Sequence, residues 1–161
     1  MGYGSWVSSY AVMEGVSTVT EATFAGSVFW ITNTAFRIVL IYVTIKVSLR
    51  LKILMIGMII GCIINFYAAM SGHQWFAAYV GSFLNGMFLA SMFALFLALP
   101  MEFGYLLSKR NTANFMMCAS LGEGALAMPI GYAMGLFGPW MLYLTELVFA
   151  VLSFYLVLKV L

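Results

Sequence analysis

The feature that most constrains this chain is a series of apolar stretches about as long as a membrane is thick. Cutting the sequence at charged and turn residues leaves five stretches long enough for transmembrane helices and a shorter one at the start. A transmembrane helix needs roughly 20 mainly apolar residues. The sequence therefore predicts an all-α, polytopic membrane helix bundle of about six helices, forming a single domain over residues 1–161. The predicted helices cover about 3–18, 23–45, 53–70, 75–107, 112–135 and 140–160.

The charge content excludes a soluble domain. Only twelve side chains are charged, seven basic and five acidic, whereas 65% of the residues are hydrophobic. A soluble domain carries roughly 25% charged residues, so lipid has to replace water over most of this surface. A net charge of +2 is too small to indicate nucleic-acid binding. Cys62 and Cys118 both lie in apolar runs, so we expect neither a disulfide framework nor a zinc site, and no cofactor is predicted.

Six of the seven basic residues fall on one side of the predicted bundle. Three lie in the loop 46–52, two lie in the loop 108–111 and one stands at the C-terminus. The alternate loops, 14–21, 71–74 and 136–139, contain no Lys or Arg. By the positive-inside rule, the basic loops and the C-terminus are predicted to face the cytoplasm or an equivalent compartment.

Three polar residues lie near the middle of three different predicted helices. They are Asn33 in the second helix, Asn85 in the fourth and Glu123 in the fifth. Polar groups inside lipid are costly, and secondary transporters place their substrate near the bilayer midplane. We therefore predict that these side chains bind a substrate. For the two asparagines, an equally simple interpretation is that they form hydrogen bonds between helices.

We identify Glu123 as the one carboxylate inside a predicted span. An ionised carboxylate there must pair with a cation, reach water or take up a proton. Gly122 and Gly124 flank it and Pro129 follows in the same helix. We therefore expect a locally irregular helix that faces protein or a watery cavity. The hypothesis is that Glu123 takes part in binding or proton coupling, and a structural partnership with a cation is the alternative.

Two further groups of residues are candidates for the site. Arg37 follows Asn33 by four residues, so both project from one face of the second helix. Its long side chain can extend toward the basic end of that helix, which favours gating over substrate contact. Trp6 and Tyr10 in the first helix offer an aromatic and hydroxyl surface suited to a sugar. The same residue types are also common in ordinary helix packing.

Four stretches carry a resemblance to a known family: 4–11 (GSWVSSYA), 29–37 (FWITNTAFR), 87–100 and 121–131 (LGEGALAMPIG). The first resembles a G-x-W-x-x-x-Y-A run, and the second is similar to an F-W-x-x-x-x-x-G-R run. The fourth is similar to an L-G-E run that a proline and a glycine follow. In this order they resemble the seventh, eighth, tenth and eleventh helices of major facilitator superfamily transporters. The nearest branch contains the fucose–proton symporter-like and sodium-dependent glucose transporter-like proteins.

This resemblance implies one half of a major facilitator fold. Such a C-terminal half would move a sugar or similar small polar solute by alternating access, together with an N-terminal half and a coupling proton or sodium ion. The N-terminal six helices are absent from the sequence, so the chain alone is not expected to transport. Its expected partners are the solute, membrane lipid and the other half or another membrane subunit. The predicted substrate-binding residues are Trp6, Tyr10, Asn33, Asn85 and Glu123, and the predicted gating residues are Arg37, Lys46 and Arg50.

Two departures from the family pattern support a second hypothesis. Phe36 occupies the position before Arg37 where a small residue is expected, and the loop 46–52 has basic residues without an acidic partner. Under this second hypothesis, the chain is a non-transporting integral membrane subunit that derives from a transporter half. It would co-purify with other membrane proteins. An enzyme is not predicted, because the predicted spans offer no paired nucleophile and base.

Overall fold

The computed structural model of the chain describes residues 2–15, 18–43, 45–90, 92–106 and 108–160, without the side chains of residues 2, 3, 5, 123 and 160. All regular secondary structure in this described part is α-helical. The helices are α1 (Gly2–Met13), α2 (Val19–Ile41), α3 (Val47–Met70), α4 (Gln74–Leu89), α5 (Met92–Glu102), α6 (Lys109–Phe137) and α7 (Met141–Val160).

Four helical segments are long and apolar enough to cross a membrane. One of them combines α4 and α5, and neither α1 nor α6 belongs to the four. Many large apolar side chains on these helices are exposed on the outside of the bundle, as expected where lipid rather than water is the solvent. The chain is therefore an all-helical, multi-pass membrane protein by length and composition. The four spans are Val19–Ile41, Val47–Met70, Gln74–Glu102 and Met141–Lys159.

Several predicted helix boundaries differ from the structure. The first helix ends at Met13 rather than at 18, and the second covers Val19–Ile41 rather than 23–45. The third helix begins at Val47 rather than at residue 53, so Arg50 and Lys52 lie in its first two turns and not in a loop. Basic residues do not end a helix, because their aliphatic stems pack along it while the charge reaches polar surroundings. The predicted helix 75–107 consists of α4 and α5, which ends at Glu102.

The starts and ends of the other helices have local causes. The first helix ends at Met13, before Gly15 adopts a left-handed φ of 65°. The second begins at Val19 because Thr18 and Glu21 form a capping box, in which each side chain binds the other residue's backbone N–H. The last two predicted helices agree with α6 and α7 to within about three residues.

The bundle is organised around α4, which packs against both α2 and α3. α7 lies against α3, and α1 lies against α2. One apolar core contains Tyr10 and Tyr143, whose rings meet edge to face with centroids 4.9 Å apart. A second core toward the other end contains Leu51, Leu95 and Val157. In the described part of the chain, the main contacts of α6 are to α1 and α7.

A glycine permits the closest approach between α2 and α4. A Cβ atom at Gly86 would stand 2.6 Å from the backbone oxygen of Phe29 and 3.1 Å from the Cβ of Thr32. Small residues at such crossings allow helix backbones in membranes to touch. The contact fixes the position of α4 along α2. It thereby also fixes the positions of the polar residues of the two helices relative to each other.

Candidate intramembrane site

A hydrogen bond between Asn85 and Glu146 joins α4 to α7 inside the bundle. The Asn85 Nδ2 donates to Glu146 Oε2 at 3.0 Å, and the Asn85 side chain is completely buried. On the other side of Asn85, the Cys62 Sγ of α3 lies 3.9 Å from Oδ1 and can act as a weak donor. One buried amide therefore connects polar groups of three helices.

Glu146 contradicts the prediction that Glu123 is the only carboxylate inside a span. It is the sixth residue of α7, about 7–8 Å along the helix axis at a rise of 1.5 Å per residue. The sequence contains the signal needed to find it, since Glu146 also lies inside the predicted helix 140–160. A carboxylate in an otherwise apolar span is by default a candidate functional residue.

A cavity of about 710 Å³ lies between α6 and the rest of the bundle, and Glu146 forms part of its wall. Glu146 is partly exposed toward this space. Among the described residues that line the cavity, it is the only charged one. A volume of this size is within the range of roughly 300–1,000 Å³ that small-molecule sites occupy. The uncharged polar side chains in the wall include Asn33, Ser120, Thr145 and Ser153.

Asn33 and Arg37 bind backbone carbonyl groups where α4 ends. Asn33 Nδ2 donates to the Gly86 oxygen at 3.3 Å, and Arg37 Nε donates to the Ala90 oxygen at 2.5 Å. The last carbonyl groups of a helix lack intrahelical partners, and in a membrane neighbouring side chains must supply them. The structure thus places Asn33 at about the same depth in the bundle as Asn85. Asn33 both forms a hydrogen bond between helices and lines the cavity.

Trp6 and Tyr10 of α1 are not among the described residues that line this cavity. Tyr10 is completely buried against Tyr143. The ring of Trp6 fills the space beside Gly131, where an added Cβ atom would stand 2.5 Å from it. These positions correspond to the helix-packing interpretation, and the proposed contact of Trp6 and Tyr10 with a substrate stays a prediction. Glu123 belongs to α6, but its side chain lies outside the described part, so its role is equally untested.

An acidic residue from another part of the chain reaches the basic segment 46–52, although its hydrogen bonds are to Ser48 and not to a basic side chain. Glu102 at the end of α5 accepts hydrogen bonds from the Ser48 backbone N–H at 2.7 Å and from its hydroxyl at 3.1 Å. A carboxylate is favourable at this place because the first N–H groups of α3 are unpaired and the helix dipole is positive there. Glu102 could not be assigned to this segment from the sequence, because it lies 54 residues from Ser48 in the chain.

The two predicted gating residues of this segment differ in their surroundings. The Arg50 guanidinium donates to the carbonyl groups of Leu40 and Ile45, each at 3.3 Å, and to that of Val43. It thereby binds the end of α2 and the turn that follows. Lys46 is exposed at the start of α3. A gating role for either residue remains a prediction.

Comparison of the chain with protein-family models, with curated proteins and with solved structures finds no match. The resemblance to major facilitator transporters therefore depends on the four sequence stretches alone. Within the described residues, no group of three or more His, Cys, Asp or Glu side chains is placed to hold a metal ion. The cavity beside Glu146 is the feature from which a function can be argued.

Proposed function

We propose that this chain is one half of a secondary transporter and that its solute binds beside Glu146 in the cavity between α6 and the other helices. The observation that carries the proposal is a carboxylate in the wall of an intramembrane cavity, with the buried amide of Asn85 as its donor. Ionisable groups inside a membrane are costly and usually functional. Transporters bind solutes at this kind of internal polar position.

The number of membrane-spanning helices and their orientation in the membrane belong to the same proposal. With α1 and α6 added to the four apolar spans, the chain would have the six helices of a major facilitator half. The basic segments 46–52 and 108–111 would then face the cytoplasm or an equivalent compartment. α6 has 29 residues, enough to cross a bilayer core roughly 30 Å thick.

The chemistry available to such a site is simple. Glu146 can be ionised when a cation neutralises it and protonated when none does, which offers a coupling proton a place inside the membrane. Asn85 can donate to either form, since both retain an acceptor oxygen. The Asn33 and Arg37 contacts would hold α2 and the α4–α5 junction in a fixed relation while the solute is bound.

Uptake into liposomes tests the proposal. The natural polypeptide, with any membrane protein that co-purifies with it, is reconstituted and given labelled sugars, amines and zwitterions under proton or sodium gradients. We expect gradient-driven uptake of at least one solute and a loss of at least tenfold in Glu146→Gln. Glu21→Gln is the matched control, because glutamine at this exposed position still completes the capping box. Uptake of no solute by the assembly, or full uptake by Glu146→Gln, contradicts the proposal.

The outer surface of α6 supports the second candidate, a non-transporting membrane subunit. Phe115, Met117 and Leu121 are all exposed on this helix, and they are not among the residues that line the cavity. Such a surface suits a neighbouring helix of another protein as well as it suits lipid. Intact mass and co-purification separate the two candidates. A stable foreign partner, combined with no solute uptake, favours the subunit, and a mass more than double 17.8 kDa favours a full transporter.

A further inference from the structure

The charge of the cavity wall restricts what the cavity can bind. Glu146 is the only charged side chain among the described lining residues, and no Lys, Arg or His is among them. Asn85 is its one hydrogen-bond donor in the described part of the chain. A carboxylate with one neutral donor in a low-dielectric space favours a positive charge nearby. An anionic solute would meet repulsion without a compensating cation.

The rest of the wall is apolar and polarisable. It contains five aromatic residues, among them Trp30 and Phe149, and four methionines, among them Met58 and Met116. Aromatic faces attract organic cations, and methionine side chains adapt to irregular apolar shapes. A sugar would instead need polar partners around its whole ring. The hydroxyl of Thr145 already donates within its own helix, to the carbonyl groups of Met141 and Leu142.

We propose that this cavity binds an amphiphilic organic cation, with its charged nitrogen at Glu146 and its apolar body against the aromatic and methionine side chains. The inference rests on the proposed function, because it names the class of solute for the same site. It differs from the sugar that the family resemblance implies. The cation and the carboxylate neutralise each other in the cavity, so each lowers the cost of holding the other away from water.

Two ions of the same shape and opposite charge test this inference. Tetraphenylphosphonium and tetraphenylborate are dialysed separately against the protein, with its natural partners, in nanodiscs of neutral phospholipid. We expect saturable binding of the phosphonium beyond that of empty nanodiscs and no comparable binding of the borate. Glu146→Gln is expected to weaken phosphonium binding at least tenfold. Glu146→Asp, which keeps the charge, and the Glu21→Gln control are expected to retain it.

Equal binding of the two ions by the unaltered protein overturns the inference, as does phosphonium binding that Glu146→Gln leaves unchanged. The comparison of the two ions needs no substitution, so it decides the matter even where a variant fails to fold. If the phosphonium does not bind but a neutral sugar enters liposomes in a Glu146-dependent way, the solute class is wrong and the transport proposal stands. If the phosphonium does not bind and no solute enters liposomes in a Glu146-dependent way, both proposals fail.

Discussion

At the scale of single residues, Asn85 and Glu146 share a hydrogen bond but differ in their surroundings. Asn85 lies completely inside the bundle between two helices, whereas Glu146 is shared between that contact and the cavity. Hydrogen bonds between helices in membranes contribute about 0.6 kcal/mol on average and about 1.7 kcal/mol at most. The pair therefore stabilises the bundle only modestly, and the cost of placing a carboxylate there is not offset by this bond alone.

A double-mutant cycle measures that contact. Asn85→Ala, Glu146→Ala and the double variant are unfolded in detergent, and we expect a coupling free energy of about 0.6–1.7 kcal/mol. Asn85→Ala with Thr145→Val serves as the control, because the Thr145 hydroxyl donates only within α7 and should not couple. Strict additivity for Asn85 and Glu146 would show that the two side chains do not interact.

The residues of the candidate site were predictable from the sequence to different degrees. Asn33 and Asn85 stand out as amides within apolar spans, and the structure brings their helices together at one level. Glu146 gives the same kind of signal and was overlooked, although its position needed no structure to find. Glu102 could not be assigned to the start of α3 in advance, because only the folded chain brings together residues 54 positions apart.

At the scale of helices, the close crossing of α2 and α4 depends on a glycine, Gly86, which has no side chain. Gly86→Ala would place a methyl group 2.6 Å from the backbone oxygen of Phe29, and a backbone atom cannot rotate away. We expect a loss of about 1–3 kcal/mol in the free energy of unfolding, typical of overpacking. Unfolding in detergent measures it. In Gly135→Ala, the matched control on α6, nothing lies within 4 Å of the added carbon.

The control is expected to be neutral or slightly stabilising, because alanine favours a helix over glycine by roughly 1 kcal/mol. If Gly86→Ala were as stable as Gly135→Ala, the two helices would not cross as closely as the structure has them. The helices themselves were predictable from the length of the apolar runs. The end of α5 at Glu102 was not, because the strongest helix breaker nearby, Pro100, lies inside that helix.

At the scale of the whole molecule, the position of α6 decides what is accessible. The main contacts of α6 among the described residues are to α1 and α7. Its Cys118 is exposed and also lines the cavity, whereas Cys62 is buried between helices. The presence of the spans follows from hydropathy alone. The cavity does not, because it depends on the distance that α6 keeps from the other helices, and no local pattern encodes that distance.

The two free thiols test this arrangement. N-ethylmaleimide applied to the folded protein in nanodiscs should modify Cys118 at least tenfold faster than Cys62, because access to the thiol limits the reaction. Peptide mass spectrometry reads the modified positions. Both thiols should react after denaturation in dodecyl sulfate, which is the control. Comparable rates for both in the folded protein would mean that α3 and α4 do not enclose Cys62.

The hydrogen bond from Arg37 to Ala90 also restricts how two of the membrane spans can move. Ala90 directly follows α4 in the span Gln74–Glu102, so a side chain of α2 holds the backbone of this span near its middle. A displacement of this part of the span must break that bond or carry α2 along with it. Movements of the two spans are therefore coupled, and a force on either one is transmitted to the other.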